Sequence, residues 1–158
     1  MAISNEQLRF AFLSPEMRCY FGKKFPAVPA GELDIRIEEA LKFLNIADHC
    51  SGSIPVTTEI DDIWHFWILE TREYMKLCSR LQGREYIHHV SNAYAQCLAS
   101  SEPLVQNTIA QDIGVLATYV LNYGPFEEDR VKYWLLATHL TEQCGMTVRD
   151  LNEWLISR

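Results

Sequence analysis

Between Thr57 and Leu81 the chain is apolar around most of the circumference of a helix. Ile60, Ile63, Trp64, Trp67, Ile68, Thr71, Tyr74, Met75 and Cys78 recur at helical spacing as one broad stripe, and Phe66 and Leu69 fall on a different face. A helix that is apolar on most sides is one that other elements surround. The segment therefore predicts a long, largely buried central helix over 58–81, opened by Thr57 or Thr58 and closed before Gln82-Gly83.

The rest of the chain reads as helices that could enclose it. Ser4-x-x-Gln7 is a capping box ahead of Phe10 and Phe12, and Ser14-Pro15-Glu16 places a capping hydroxyl, a first-turn proline and an acid in order. A loop is expected from Gly22 to Gly31. A helix carrying Leu33, Ile37, Ala40, Leu41, Leu44 and Ala47 then runs to His49, before a connection at Ser51-Gly52-Ser53. Tyr86–Val90 reads as a short extended piece and Asn92–Ala99 as helical. Ser101-Glu102-Pro103 starts a helix to Asn122 that Gly124-Pro125 stops, Phe126–Gln143 forms the next, and Thr147 caps a last one with Val148, Leu151, Trp154 and Leu155. No segment alternates long enough to build a sheet, and there is no internal repeat. The expected fold is an all-α, single-domain bundle over residues 1–158, with about six to seven helices.

Composition narrows the function classes. A net charge of −7, with Lys23-Lys24 the only adjacent basic pair, argues against nucleic acid and against anionic membranes. No apolar run reaches the roughly 20 residues that span a bilayer, and the first residues lack a basic leader with an apolar core, so a cytoplasmic protein is expected. Five widely spaced cysteines (Cys19, Cys50, Cys78, Cys97, Cys144) without a Cys-x-x-Cys pair predict isolated buried thiols rather than a disulfide framework.

Chemistry concentrates in Glu59–Val90, which holds His65, His88, His89, Trp64, Trp67 and the Asp61-Asp62 pair. Asp61 and His65 stand four apart, so a helix brings the carboxylate within reach of the ring, and Arg72 continues the same stripe. A buried imidazole needs a partner, and Asp61 can serve. One reading is a structural Asp–His pair. Another is a metal site in which Asp61 and His65 are joined by His88, His89 or both. Imidazole and carboxylate donors suit zinc or non-haem iron and leave positions open for substrate. Cys78, thirteen residues from His65, faces the opposite side. His49 and His139 sit near helix ends, where they interact favourably with the helix dipole. Trp134 and Trp154 read as core.

The run Asp61-x-x-Trp64-His65-x-x-Ile68-Leu69-x-Thr71-Arg72-x-Tyr74-x-x-x-Cys78, followed by Gly83 and His88-His89, resembles the bacterial glycine-rich domain-containing protein-like family, which has no assigned function. Thr118-Tyr119, Tyr123-Gly124-Pro125 and Trp134 are similar to its second helical block. The resemblance covers about residues 40–135. It implies that Asp61, Trp64, His65, His88 and His89 are the residues to test, and it implies no reaction. Plant members carry a second histidine two residues after the first, where Trp67 stands here, so a His-x-His chelate is excluded. No glycine-rich tail follows, which leaves the helical domain alone.

Three functions follow from these residues. The first is a metal-binding protein or metal-dependent enzyme acting on a small molecule. The second is a protein-interaction module with a structural Trp-His motif and an apolar patch drawn from Phe10, Phe12, Tyr20, Phe21 and Phe25. The third is a metal-free acid/base enzyme in which Asp61 orients His65 as a catalytic dyad.

Overall fold

The computed structural model describes residues 3–47, 54–81, 86–91, 93–94, 97 and 109–158. Local signals set most helix starts. The Ser4 hydroxyl accepts from the Gln7 amide at 3.2 Å while the Gln7 side chain accepts from the Ser4 amide at 3.0 Å, opening α1 (Asn5–Phe12). Ser14 caps α2 (Pro15–Lys24) by accepting from the Met17 amide. Helix α2 continues past Gly22, which confines the expected loop to 25–29. These two helices lead into α3 (Ala30–Ile46), which packs against both of them and against the helices over Thr58–Leu69 and Ile109–Tyr123.

The most enclosed helix is α3, where every residue from Ile37 to Leu44 is buried, charged ones included. Four ionised side chains, Glu38, Glu39, Lys42 and Arg130, lie inside at 7% exposure or less. Glu39 is the hub. One of its oxygens receives Lys42 Nζ at 2.7 Å, the Tyr119 hydroxyl at 3.2 Å and Arg130 Nη1 at 3.2 Å, and the other receives the Trp134 indole N–H at 2.9 Å. Arg130 also reaches Glu38 at 2.7 Å, and Lys42 donates to the Tyr119 hydroxyl at 2.8 Å. Burial pulls the Lys42 ammonium below its usual value and Glu39 opposes this. Burial, then Glu39, push the Tyr119 phenol up, so it stays a donor.

The helix expected over 58–81 is two helices, α4 (Thr58–Leu69) and α5 (Thr71–Arg80). They are separated at Glu70, whose φ of −91° and ψ of 70° leave the helical region. The break bends the chain between α4 and α5. Ile60, Ile63, Trp64 and Trp67 of α4 and Tyr74, Leu77 and Cys78 of α5 enter the core, whereas Leu69 and Met75, placed in the apolar stripes from sequence, are exposed. Phe21, expected in a surface patch, is fully buried against Trp67 with ring centroids 5.2 Å apart, and Phe10 of that patch is exposed.

Helix α6 (Ile109–Tyr123) ends at Gly124, whose φ of 86° suits glycine. The single helix expected over Phe126–Gln143 is instead a turn, a 3-10 segment (Val131–Tyr133) and α7 (Leu135–Glu142). Its backbone groups are engaged elsewhere. Asn152 takes the Phe126 N–H and C=O at 2.7 and 2.9 Å, and the 54–57 segment pairs with 133–135 through Thr57 N–H to Tyr133 O and Leu135 N–H to Pro55 O, both 3.0 Å. A Thr147–Asp150 capping box opens α8 (Val148–Ile156), on which Trp154 is half-buried rather than core. Among the described residues, one hydrophobic core draws on eight helices and there is no strand. Cys78 is buried, Cys19, Cys97 and Cys144 are exposed, and these four form no disulfide, so among the described cysteines the expectation of buried thiols holds for Cys78. No described helix is long and apolar enough to cross a membrane. The expected features at His49, Cys50, Ser51-Gly52-Ser53, Gln82-Gly83 and Ser101–Pro103, and most of Asn92–Ala99, lie outside the described residues.

Glu39→Ala, which leaves Lys42 in the core without its carboxylate partner, is expected to lower stability at neutral pH by about 3–5 kcal/mol in urea unfolding. A loss below about 1 kcal/mol would show that the network carries no structural weight.

Candidate metal centre

Asp61 lies in the first turn of α4, where an acid is favoured by the helix dipole. His65, four residues on, has Nδ1 3.6 Å from Asp61 Oδ2 and 3.9 Å from Asp62 Oδ1. The 3.6 Å separation exceeds a hydrogen bond. The short contact comes from His89, whose Nε2 lies 2.9 Å from Asp61 Oδ1. One carboxylate thus sits between two imidazoles, with an oxygen facing each. The two rings lie 4.3 Å apart at 48°, and one donor atom from each of Asp61, His65 and His89 fits within 4.8 Å of the others.

These distances can be weighed against a metal shell. Bonds of about 2.0–2.1 Å in tetrahedral geometry put neighbouring donors roughly 3.3–3.4 Å apart. The 2.9 and 3.6 Å separations, made by different oxygens of the one carboxylate, bracket that value. An ionised carboxylate only accepts, so His89 Nε2–H donates to Asp61. A cation would take the place of that proton. The site opens to solvent on one side, because the His65 side chain is 45% exposed while those of Asp61 and His89 are 20% and 12% exposed. The expectation of a buried His65 is corrected accordingly, and the partnered, enclosed imidazole is His89.

His88 does not join. Burial alternates along Tyr86 (exposed), Ile87 (buried), His88 (exposed), His89 (half-buried) and Val90 (exposed), although this stretch forms no strand. Neighbours on an extended chain point in opposite directions, so both histidines cannot serve one centre. His88 packs against the Tyr86 ring at 4.9 Å. Arg72 is exposed and makes no ion pair with Asp61, Cys78 is buried as expected, and His139 is exposed in the last turn of α7.

Behind the centre lies a support that sequence reading assigned only to the core. Trp64 packs one edge against His89 (4.3 Å, 61°) and also meets Phe43 of α3 (5.4 Å, 72°). Its indole N–H donates to the Tyr74 hydroxyl at 2.9 Å, and that hydroxyl donates to the Ile87 carbonyl. Burial pushes the Tyr74 phenol up, with Trp64 opposing, and it remains a donor. The available signal was that a buried tyrosine hydroxyl must find a partner, but sequence names no partner.

His88→Ala is expected to change stability by less than about 0.5 kcal/mol. His89→Ala, losing the Asp61 bond and the Trp64 contact, is expected to cost about 1–2 kcal/mol. Equal effects in urea unfolding would contradict the assignment of His89 over His88.

In comparisons with known proteins, no family model, no curated protein and no solved structure matches this chain.

Proposed function

We propose that the protein binds a divalent transition-metal cation, zinc or alternatively iron(II), through Asp61, His65 and His89, and presents it to a small molecule. The observation that carries this reading is the single carboxylate placed between two imidazoles at metal-compatible spacing. Two imidazoles and one carboxylate leave at least one coordination position for water or substrate. A cation held there would act as a Lewis acid and acidify a bound water. The chain's own contribution is to orient the donors. Asp61 is fixed by its helix, His89 by contact with the Trp64 ring, and the exposed edge of His65 leaves the open side toward solvent. The resemblance to the glycine-rich domain-containing protein-like family implies these three residues together with Trp64 and His88, and adds no substrate. The acidic balance of the chain disfavours nucleic acid and anionic membrane as partners, and we place the protein in the cytoplasm.

A second reading is favoured by the 2.9 Å contact itself. Without metal, Asp61 would orient His89, rather than His65, as an acid/base dyad. Metal titration separates the two.

Calorimetric titration of untagged, metal-free protein with zinc is expected to give about one site per chain. Binding should weaken as the pH falls and the imidazoles are protonated. Asp61→Ala, His65→Ala and His89→Ala should each lose more than the roughly 10–100-fold that supporting residues cost, whereas His88→Ala binds as wild type. Wild-type protein that takes up neither zinc nor iron(II) would sink the metal reading and leave the dyad.

A further inference from the structure

The contacts behind the centre raise the question of what holds His89 there. The 86–91 segment forms neither helix nor strand, so no ladder or helical turn sets its register. The Ile87 side chain is buried in the core, and the segment is bound to α4 and α5 by the ring contacts of Tyr86 with Tyr74 and of His89 with Trp64 and His65, by the His89–Asp61 bond, and by the Tyr74 hydroxyl on the Ile87 carbonyl. The last two lie on consecutive parts of the same short stretch. A slip of one residue would turn Ile87 outward and bring His88 inward, because side chains alternate along extended chain. The carbonyl two residues before His89 is therefore the point at which register is decided.

Tyr74 reaches that carbonyl only because α4 and α5 are separate. Ten residues of uninterrupted helix would place Trp64 and Tyr74 roughly 15 Å apart along the axis. With the helix broken at Glu70, the Trp64 indole N–H reaches the Tyr74 hydroxyl and fixes the group that it shares with Ile87. Trp64 is also the ring on which His89 rests. One hydroxyl thus joins the platform under the ligand to the backbone that carries it.

We propose that Tyr74 is the positioning residue of the centre: it holds 86–91 in the register that presents His89 to Asp61 and His65, so that cation binding and docking of this segment strengthen each other. This rests on the metal reading above. The coupling is reciprocal, since whatever factor segment docking contributes to cation affinity, the cation returns to docking.

The test uses the full chain and Tyr74→Phe, which keeps the ring that packs edge-on to Tyr86 at 5.3 Å and removes only the hydroxyl. Three quantities are read: zinc affinity, the visible absorption of the cobalt(II)-loaded protein, and hydrogen exchange of the 86–91 amides with and without zinc. In wild type, zinc should slow exchange across 86–91. In Tyr74→Phe the zinc Kd should rise about 10–100-fold, and the cobalt absorption should weaken as water replaces His89. His88→Ala should match wild type in affinity and spectrum. A folded Tyr74→Phe with lowered Tm but unchanged Kd and cobalt spectrum would overturn the inference and leave the metal centre standing. Wild type that binds neither zinc nor cobalt would overturn both. Where Tyr74→Phe does not fold, the wild-type exchange decides: zinc binding without added protection at 86–91 also overturns the inference.

Discussion

The carboxylate of Glu39 is the interaction on which the arrangement of helices depends. It is fully buried, it cannot be solvated there, and it is satisfied only if α3, α6 and the 130–134 stretch meet at one point. Two buried carboxylates, Glu38 and Glu39, face two buried cations, Lys42 and Arg130, while Arg9 reaches Glu38 and Glu127 lies beside Arg130. A slip of α3 by one residue would strand several charges. The apolar contacts around it contribute more burial, but the network is far more selective about register.

From that point rigid packing leads to the candidate centre. Trp134, bonded to Glu39, lies edge-on to Phe43 with centroids 6.4 Å apart. Phe43 meets Trp64, and Trp64 supports His89. Aromatic edge contacts of this kind are directional, so the orientation of the His89 platform derives from the same helix that carries the buried charges. The centre itself is half open. Its donors come from the α4 surface and from a segment with no regular structure, and their placement relies on the Trp64–Tyr74–Ile87 relay.

Much of the helical plan was legible because its signals are local. Ser4, Ser14 and Thr147 read as caps and act as caps, and Gly124-Pro125 reads as a stop and is one. Backbone groups taken by distant partners were not legible. Nothing near Phe126 announces that Asn152 will occupy its N–H and C=O, so a run with helical spacing became a turn and a 3-10 segment. The most enclosed helix was misidentified for a related reason. Glu38, Glu39 and Lys42 look like a solvated face, although the apolar residues around them, including Ile35, Phe43 and Ile46, leave little surface for one. Asp61 and His65 were paired by helical spacing alone. The choice between His88 and His89 needed the alternation of an extended segment anchored at Ile87, and the role of Tyr74 needed the break at Glu70, which no glycine or proline marks.

The most direct test of the centre is X-ray absorption on protein loaded with one equivalent of zinc. The expected spectrum has the outer-shell scattering of two imidazoles together with oxygen donors, and loses one imidazole in His89→Ala but none in His88→Ala. A spectrum of oxygen donors alone, or one that His89→Ala leaves unchanged, would contradict the assignment of Asp61, His65 and His89 as a metal centre.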